Sequence, residues 1–169
     1  LPDFSTESVT GIWKSVYATV DQGLLEYEYE GATSTTCFLW KYDGKRYLQA
    51  ANLGDSTAVL VTDGVAKAIT VDHNPTLPSE RARIIASGIQ LNEGQTRLNG
   101  LAVSRALGDH FPKSTECGLI SEPFVSEPLA LSRDSNMLII ASDGLWDVVS
   151  FQRAYDLIKE MDDTQEMAQ

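Results

Sequence analysis

The spacing of apolar positions changes several times along this chain, and each change marks an element. From about Thr6 to Glu28 apolar residues recur every three or four positions. This predicts an amphipathic helix with Ile12, Val16, Val20 and Leu24 on the inward face, joined by Trp13 and Tyr17. Gly23 weakens its last turn. Four strand-like runs follow, at 35–40, 46–53, 58–61 and 65–69. Asp43-Gly44 and Asp63-Gly64 separate two pairs of them and are strong hairpin signals, because a tight two-residue turn needs left-handed backbone at both positions. Gly54-Asp55-Ser56 forms the turn between the pairs. Four strands joined by tight turns predict an antiparallel meander rather than a parallel, doubly wound sheet.

Pro75 and Pro78 break the extended chain, and Ser79 is placed to cap a helix that runs to Ala86 and ends at Gly88. Residues 89–135 hold Gly, Asn, Pro and charge in irregular order, which predicts a loop region with short helical turns. The apolar run 137–141 reads as a buried strand that stops at Ser142-Asp143-Gly144. A helix over 151–161 is predicted next, with Ala154, Leu157, Ile158 and Met161 inward, and the polar stretch 162–169 predicts a fraying end.

Composition narrows the picture only in part. A length of 169 residues with 43% hydrophobic content suits one domain with a real core. The formal net charge of −11 argues against nucleic acid and anionic membranes as partners, since both select basic patches. Cys37 and Cys117 have neither metal-type spacing nor the density of a secreted disulfide framework. With no signal-peptide pattern and no membrane-spanning run, the expectation is a reducing interior, cytoplasmic or nuclear. There is no Gly-x-Ser-x-Gly nucleophile elbow and no P-loop.

Candidate chemistry centres on Asp143. A carboxylate at the tip of a core strand is desolvated on one side and needs a cation or donor beside it, and Gly144 lets a ligand come close. Alone, Ser-Asp-Gly would be ordinary turn chemistry. It does not stand alone. Gly31-Ala-Thr-Ser-Thr35, Ala51-Asn-Leu-Gly-Asp-Ser-Thr-Ala-Val-Leu60, Val71-Asp-His-Asn-Pro75 with Glu80 and Arg83, Arg97-Leu-Asn-Gly-Leu-Ala-Val-Ser-Arg-Ala-Leu-Gly-Asp109 and Ile120-Ser-Glu-Pro123 precede it in order. Together with the stretch around Asp143, this series resembles the metal-dependent serine/threonine protein phosphatases of type 2C. Phe111-Pro-Lys113 and Ser126-Glu-Pro-Leu129 resemble the plant kinase-associated members.

The resemblance implies an α+β fold, an antiparallel β-sandwich flanked by helices in α-β-β-α layers. It also implies hydrolysis of phosphoserine and phosphothreonine proteins by metal-activated water, with two or three Mg²⁺ or Mn²⁺ ions in the complete domain. Asp143 matches a core metal ligand and Asp55 a peripheral one. Asp147 is expected to pair with Arg97 and tie a flap, about 89–135, to the metal-bearing loop. Arg105 is a second basic candidate on that flap, His73 a structural residue, and Asp109 a turn residue.

The family's upstream Asp-Gly-His-Gly-Gly and late Asp-Asn motifs do not occur, since His73 and His110 are not followed by glycine. The expectation is therefore an incomplete sandwich. Residues 1–169 would be a single partial catalytic domain, monomeric and inactive alone, with no residue assigned as directly catalytic. A kinase is a candidate partner. The alternative is a phosphatase-like regulatory module that binds without catalysis.

Overall fold

The computed structural model describes residues 6–131 and 136–160. In chain order they form α1 (Thr6–Gln22), β1 (Gly31–Ala32), β2 (Ser34–Tyr42), β3 (Lys45–Leu53), β4 (Thr57–Thr62), β5 (Val65–Ala68) and α2 (Pro78–Ala86). Then come β6 (Leu107–Gly108), α3 (His110–Ser114), β7 (Phe124–Val125), β8 (Leu129–Leu131), β9 (Asn136–Ala141), α4 (Asp143–Trp146) and α5 (Phe151–Lys159). Every paired strand is antiparallel, as the turn chemistry predicts.

The two Asp-Gly hairpins form where expected. Asp43 and Gly44 have φ of 46° and 71°, and Asp63 and Gly64 have 52° and 79°, the paired left-handed backbone that such turns require. The four strands do not, however, make one meander. Strands β2 and β3 belong to one sheet with β7 and β8, whereas β4 is the centre of a second sheet ordered β5-β4-β9. The 54–56 turn carries the chain from one sheet to the other. Strand β3 is buried from Leu48 to Leu53 because partners flank it on both sides.

Helix α1 stops at Gln22, six residues short of its predicted end, as Gly23 closes the last turn onto Thr19. Its buried stripe also differs. Tyr17 is 4% exposed, while Ile12, Val16 and Val20 are 59%, 48% and 46% exposed. The aromatic stripe wins because its polar atoms find partners on the sheet. The Tyr17 hydroxyl donates to the Ala51 carbonyl at 3.0 Å and meets Ser34 and Thr36, and Trp13 Nε1 donates to Gln49 at 3.0 Å. Both rings also cover more apolar area than Val or Ile. Periodicity alone cannot choose between two stripes a single residue apart.

Three smaller expectations change. Helix α2 is led by Leu77 with Pro78 at its first position, so Ser79 lies inside the first turn and does not cap it. Strand β9 is only partly buried, with Ile140 half exposed, because among the described residues it pairs on one side alone. On α5, Ala154 is buried but Leu157 is exposed, and Met161 lies outside the described residues, as does the 162–169 stretch. Of the loop with short helical turns predicted over 89–135, α3 is such a turn, whereas β6, β7 and β8 are short strands. Among the described residues, no helix is long and apolar enough to cross a membrane.

Candidate metal centre

Register brings the candidate residues to one end of the second sheet. Thr57, the first residue of β4, pairs with Ala141, the last of β9. The Gly54-Asp55-Ser56 turn that precedes β4 is thereby set beside the segment that follows β9. Trp146 seals the join, its Nε1 donating to the carbonyls of Ala141 at 3.0 Å and Thr57 at 3.3 Å.

Asp143 is the first helical residue of α4, after Ser142 in extended conformation. The Asp147 amide bonds back to its carbonyl at 2.8 Å, so both carboxylates project from one short helical turn, and both are exposed. Asp55 is half-buried. Gly54 has a φ of 88°, and a Cβ there would come within 2.3 Å of Thr33 Cγ2, so only glycine fits before Asp55. Ser56 is pinned from β2, its carbonyl accepting from Thr35 Oγ1 at 2.6 Å.

These carboxylates feel one another. Burial, and then the negative charge of Asp143, followed by those of Asp72 and Asp147, push the Asp55 carboxyl above its ordinary value. Asp72 is the member that sequence reasoning missed. It sits in the Val71-Asp-His segment and accepts from Thr57 Oγ1 at 3.0 Å. The Asp-His pair drew attention to the histidine, and only the fold shows that the carboxylate faces the acidic end. Among the described residues no cation forms an ion pair with Asp55, Asp72, Asp143 or Asp147, and hard carboxylate oxygens are what Mg²⁺ and Mn²⁺ prefer. The fit is partial: among the described residues no three His, Cys, Asp or Glu side chains stand close enough to hold an ion. The donor chemistry suits a divalent cation, and the coordination sphere needs further ligands.

The expected Arg97–Asp147 pair is not formed. Arg97 Nη1 donates to the Gly100 carbonyl at 2.7 Å and so braces its own loop, with Gln95 bonding to the Arg97 carbonyl. The guanidinium is thereby turned onto the Gly100 carbonyl within its own loop. The flap is anchored elsewhere. Lys113 on α3 pairs with Asp21 of α1 at 2.7 Å, and the Gly108 amide donates to the same oxygen at 2.8 Å.

Arg105 meets a carboxylate rather than phosphate. It donates through Nε and Nη2 to Glu80 Oε1, at 3.1 and 2.5 Å, while Arg83 donates to Oε2 at 3.1 and 2.9 Å, and Ser104 Oγ to Oε2 at 2.7 Å. Glu80 is 2% exposed. Burial alone would raise its carboxyl, but hydrogen bonds from Arg105, Arg83 and Ser104 outweigh it and hold it at about 2. The spacing of Glu80 and Arg83 on one helical face signalled that pair, while nothing in the sequence singled out Arg105 as the network's third member. His73 lies beside it, buried, its Nδ1 without a hydrogen-bond partner among the described residues. Burial, reinforced by the charge of Arg105, lowers the imidazole to about 4, which favours its neutral form near pH 7. A cavity of about 360 Å³ lies against this network and not at the acidic end, lined by Lys14, His73, Arg83, Glu122 and Phe124 among others. Asp109 takes left-handed backbone before α3, a turn residue as expected, although it is buried.

Comparison with known proteins agrees with this architecture. The model of the family described as Protein phosphatase 2C matches residues 13–169. A probable protein phosphatase of Dictyostelium discoideum is 47% identical over 94% of this chain, which covers 16% of that protein. Protein phosphatase 2C 70 of Arabidopsis thaliana is 38% identical over 94% of this chain, covering 28% of its own length. The chain thus spans well under half of these relatives. Among solved structures, serine-threonine phosphatase 2C from Toxoplasma gondii superposes with a TM-score of 0.70 at 24% identity, over 94% of this chain and 60% of that one. A C. elegans sex determining protein gives 0.72 at 24% identity, over 95% and 39%. These two establish the fold. With the family model matching nearly the whole chain, this protein belongs to the protein phosphatase 2C family, whose members depend on metal ions.

Proposed function

We propose that residues 1–169 form the central part of a metal-dependent phosphatase domain acting on phosphoserine and phosphothreonine proteins, with Asp143 and Asp55 as metal ligands. Mg²⁺ or Mn²⁺, two or three ions in the complete domain, is the cofactor of this reading. The observation that carries it is the uncompensated acidic end, where Asp55 is raised by Asp143, Asp72 and Asp147. When bound, such cations supply an activated water and neutralise phosphate oxygens. This chain contributes carboxylates held at a fixed separation by the β4–β9 register, and a flap tied to α1 through Asp21 and Lys113. The remaining first ligands lie outside it, and so the chain alone is inactive. Two free cysteines agree with a reducing, cytoplasmic or nuclear setting. The acidic balance disfavours nucleic acid and membrane partners, and the working state is a monomer. A protein kinase is the regulatory partner suggested by the motif around Phe111-Pro-Lys113.

The partial ligand set favours one alternative, a phosphatase-like module that binds a partner without catalysis. The two are separated by assaying residues 1–169 and the complete domain side by side on a phosphothreonine peptide, with Mn²⁺ and with chelator. Chelator-sensitive turnover by the complete domain alone is expected, lost on Asp143→Asn. Robust turnover by 1–169 would place the active site elsewhere, and an inactive complete domain would support the binding module.

A further inference from the structure

The Asp55 turn lies where the chain leaves one sheet for the other, so its carbonyls cannot be satisfied by a strand ladder. Something else has to hold them. Asn52, in the last stretch of β3, is fully buried and reaches past the end of the ladder. Its Nδ2 donates to the Val71 carbonyl at 2.8 Å and to the Gly54 carbonyl at 3.3 Å, and its Oδ1 accepts from the Val71 amide at 3.3 Å. The Gly54 carbonyl takes a second bond, from the His73 amide at 2.9 Å, and the His73 carbonyl in turn accepts from the Ser104 amide at 2.8 Å. One buried carboxamide therefore binds both the Asp55 turn and the segment that carries Asp72.

We infer that Asn52 is a positioning residue for the metal centre: it fixes the Gly54–Ser56 backbone, and with it the Asp55 carboxylate, against the 71–73 segment. It touches neither ion nor substrate in this reading, which rests on the metal assignment made above. The chemistry is specific to a carboxamide. An apolar side chain would leave the buried Val71 amide and carbonyl unpaired, and a carboxylate would face two carbonyl oxygens with no proton to offer. Partners that orient a metal ligand from behind typically change metal affinity 10–100-fold when removed.

The test uses the complete catalytic domain and Mn²⁺ binding by titration calorimetry, a readout that does not require turnover. Asn52→Asp keeps the shape and loses both donors, and is expected to weaken Mn²⁺ binding 10–100-fold. Tyr17→Phe removes a buried hydroxyl that bonds the Ala51 carbonyl, next to Asn52 in β3, without touching the 54–56 turn, and is expected to stay within twofold of the parent protein. Hydrogen exchange at the amides of 54–56 should accelerate in Asn52→Asp and not in Tyr17→Phe. A folded Asn52→Asp protein that binds Mn²⁺ within twofold of the parent, with unchanged exchange at 54–56, overturns the inference. Should that variant not fold, exchange in the parent decides: the Val71 and His73 amides are expected to be as protected as the β3 core, and loop-like exchange there overturns it. An Asp143→Asn control separates the two readings. If it binds Mn²⁺ as the parent does, the metal assignment is what fails, and the exchange comparison still judges whether Asn52 fixes the turn.

Discussion

Two groups of carboxylates in this molecule are treated in opposite ways. Glu80 is buried, gripped by two guanidinium groups and a hydroxyl, and held at about 2. Asp55 is half-buried among Asp143, Asp72 and Asp147, has no ion-pair partner among the described residues, and is raised. The first arrangement satisfies every lone pair from within the fold and ties α2 to the flap. The second leaves a concentration of negative charge that a bound cation would neutralise. In the proposed reading the two have different tasks: the closed ionic joint fixes the scaffold, and the open acidic end receives a cation.

The largest expected effect lies in the closed joint. Removing one partner of a buried ionic network leaves the others desolvated and unpaired, so Glu80→Ala should lower unfolding stability by about 3–5 kcal/mol in urea titrations. A loss under about 1 kcal/mol would make the two groups alike and break the contrast.

Acid should act on the same region. His73 titrates at about 4 in the fold against an ordinary 6.5, so the unfolded chain binds more protons between those values. Its contribution is complete above pH 6.5 and is lost as pH falls towards 4. Glu80, at about 2 against 4.5, adds a contribution complete above pH 4.5 and lost as pH falls towards 2. Stability measured by denaturation across pH 7 to 3 should therefore decline steadily, and His73→Gln should flatten the upper part of that decline.

Smaller and opposite in sign is the effect at the acidic end. Without metal, Asp55→Asn removes a repelled charge and should leave stability unchanged or raise it by up to about 1 kcal/mol at pH 7. Marked destabilisation would mean that Asp55 has a structural partner of its own.

How much of this was legible in the residues follows the range of the interactions. The hairpins were, because Asp43-Gly44 and Asp63-Gly64 state their turn type locally. Both Asp55 and Asp143 stand at strand ends in the sequence, and the Thr57–Ala141 register sets those two ends side by side. What escaped depends on which polar atoms meet across the fold. The buried stripe of α1 was decided by hydrogen bonds from Trp13 and Tyr17 to β3, which no helical period records. Arg97 and Arg105 look equivalent in sequence, yet one braces a loop carbonyl and the other grips Glu80. Asp72 escaped because its relevance comes from strand packing and not from its neighbours in the chain.

The central claim is that the acidic end is a cation site, and metal-induced stabilisation tests it most directly. Thermal unfolding of the complete domain should be followed with rising Mn²⁺ for the parent, Asp143→Asn and Glu80→Gln. A ligand that binds only the folded state stabilises by about 2.7 kcal/mol at a hundredfold excess over its Kd. The account predicts that Mn²⁺ raises the Tm of the parent and of Glu80→Gln by similar increments from different baselines, while Asp143→Asn begins near the parent baseline and gains little. Equal Mn²⁺ stabilisation of the parent and Asp143→Asn would contradict it.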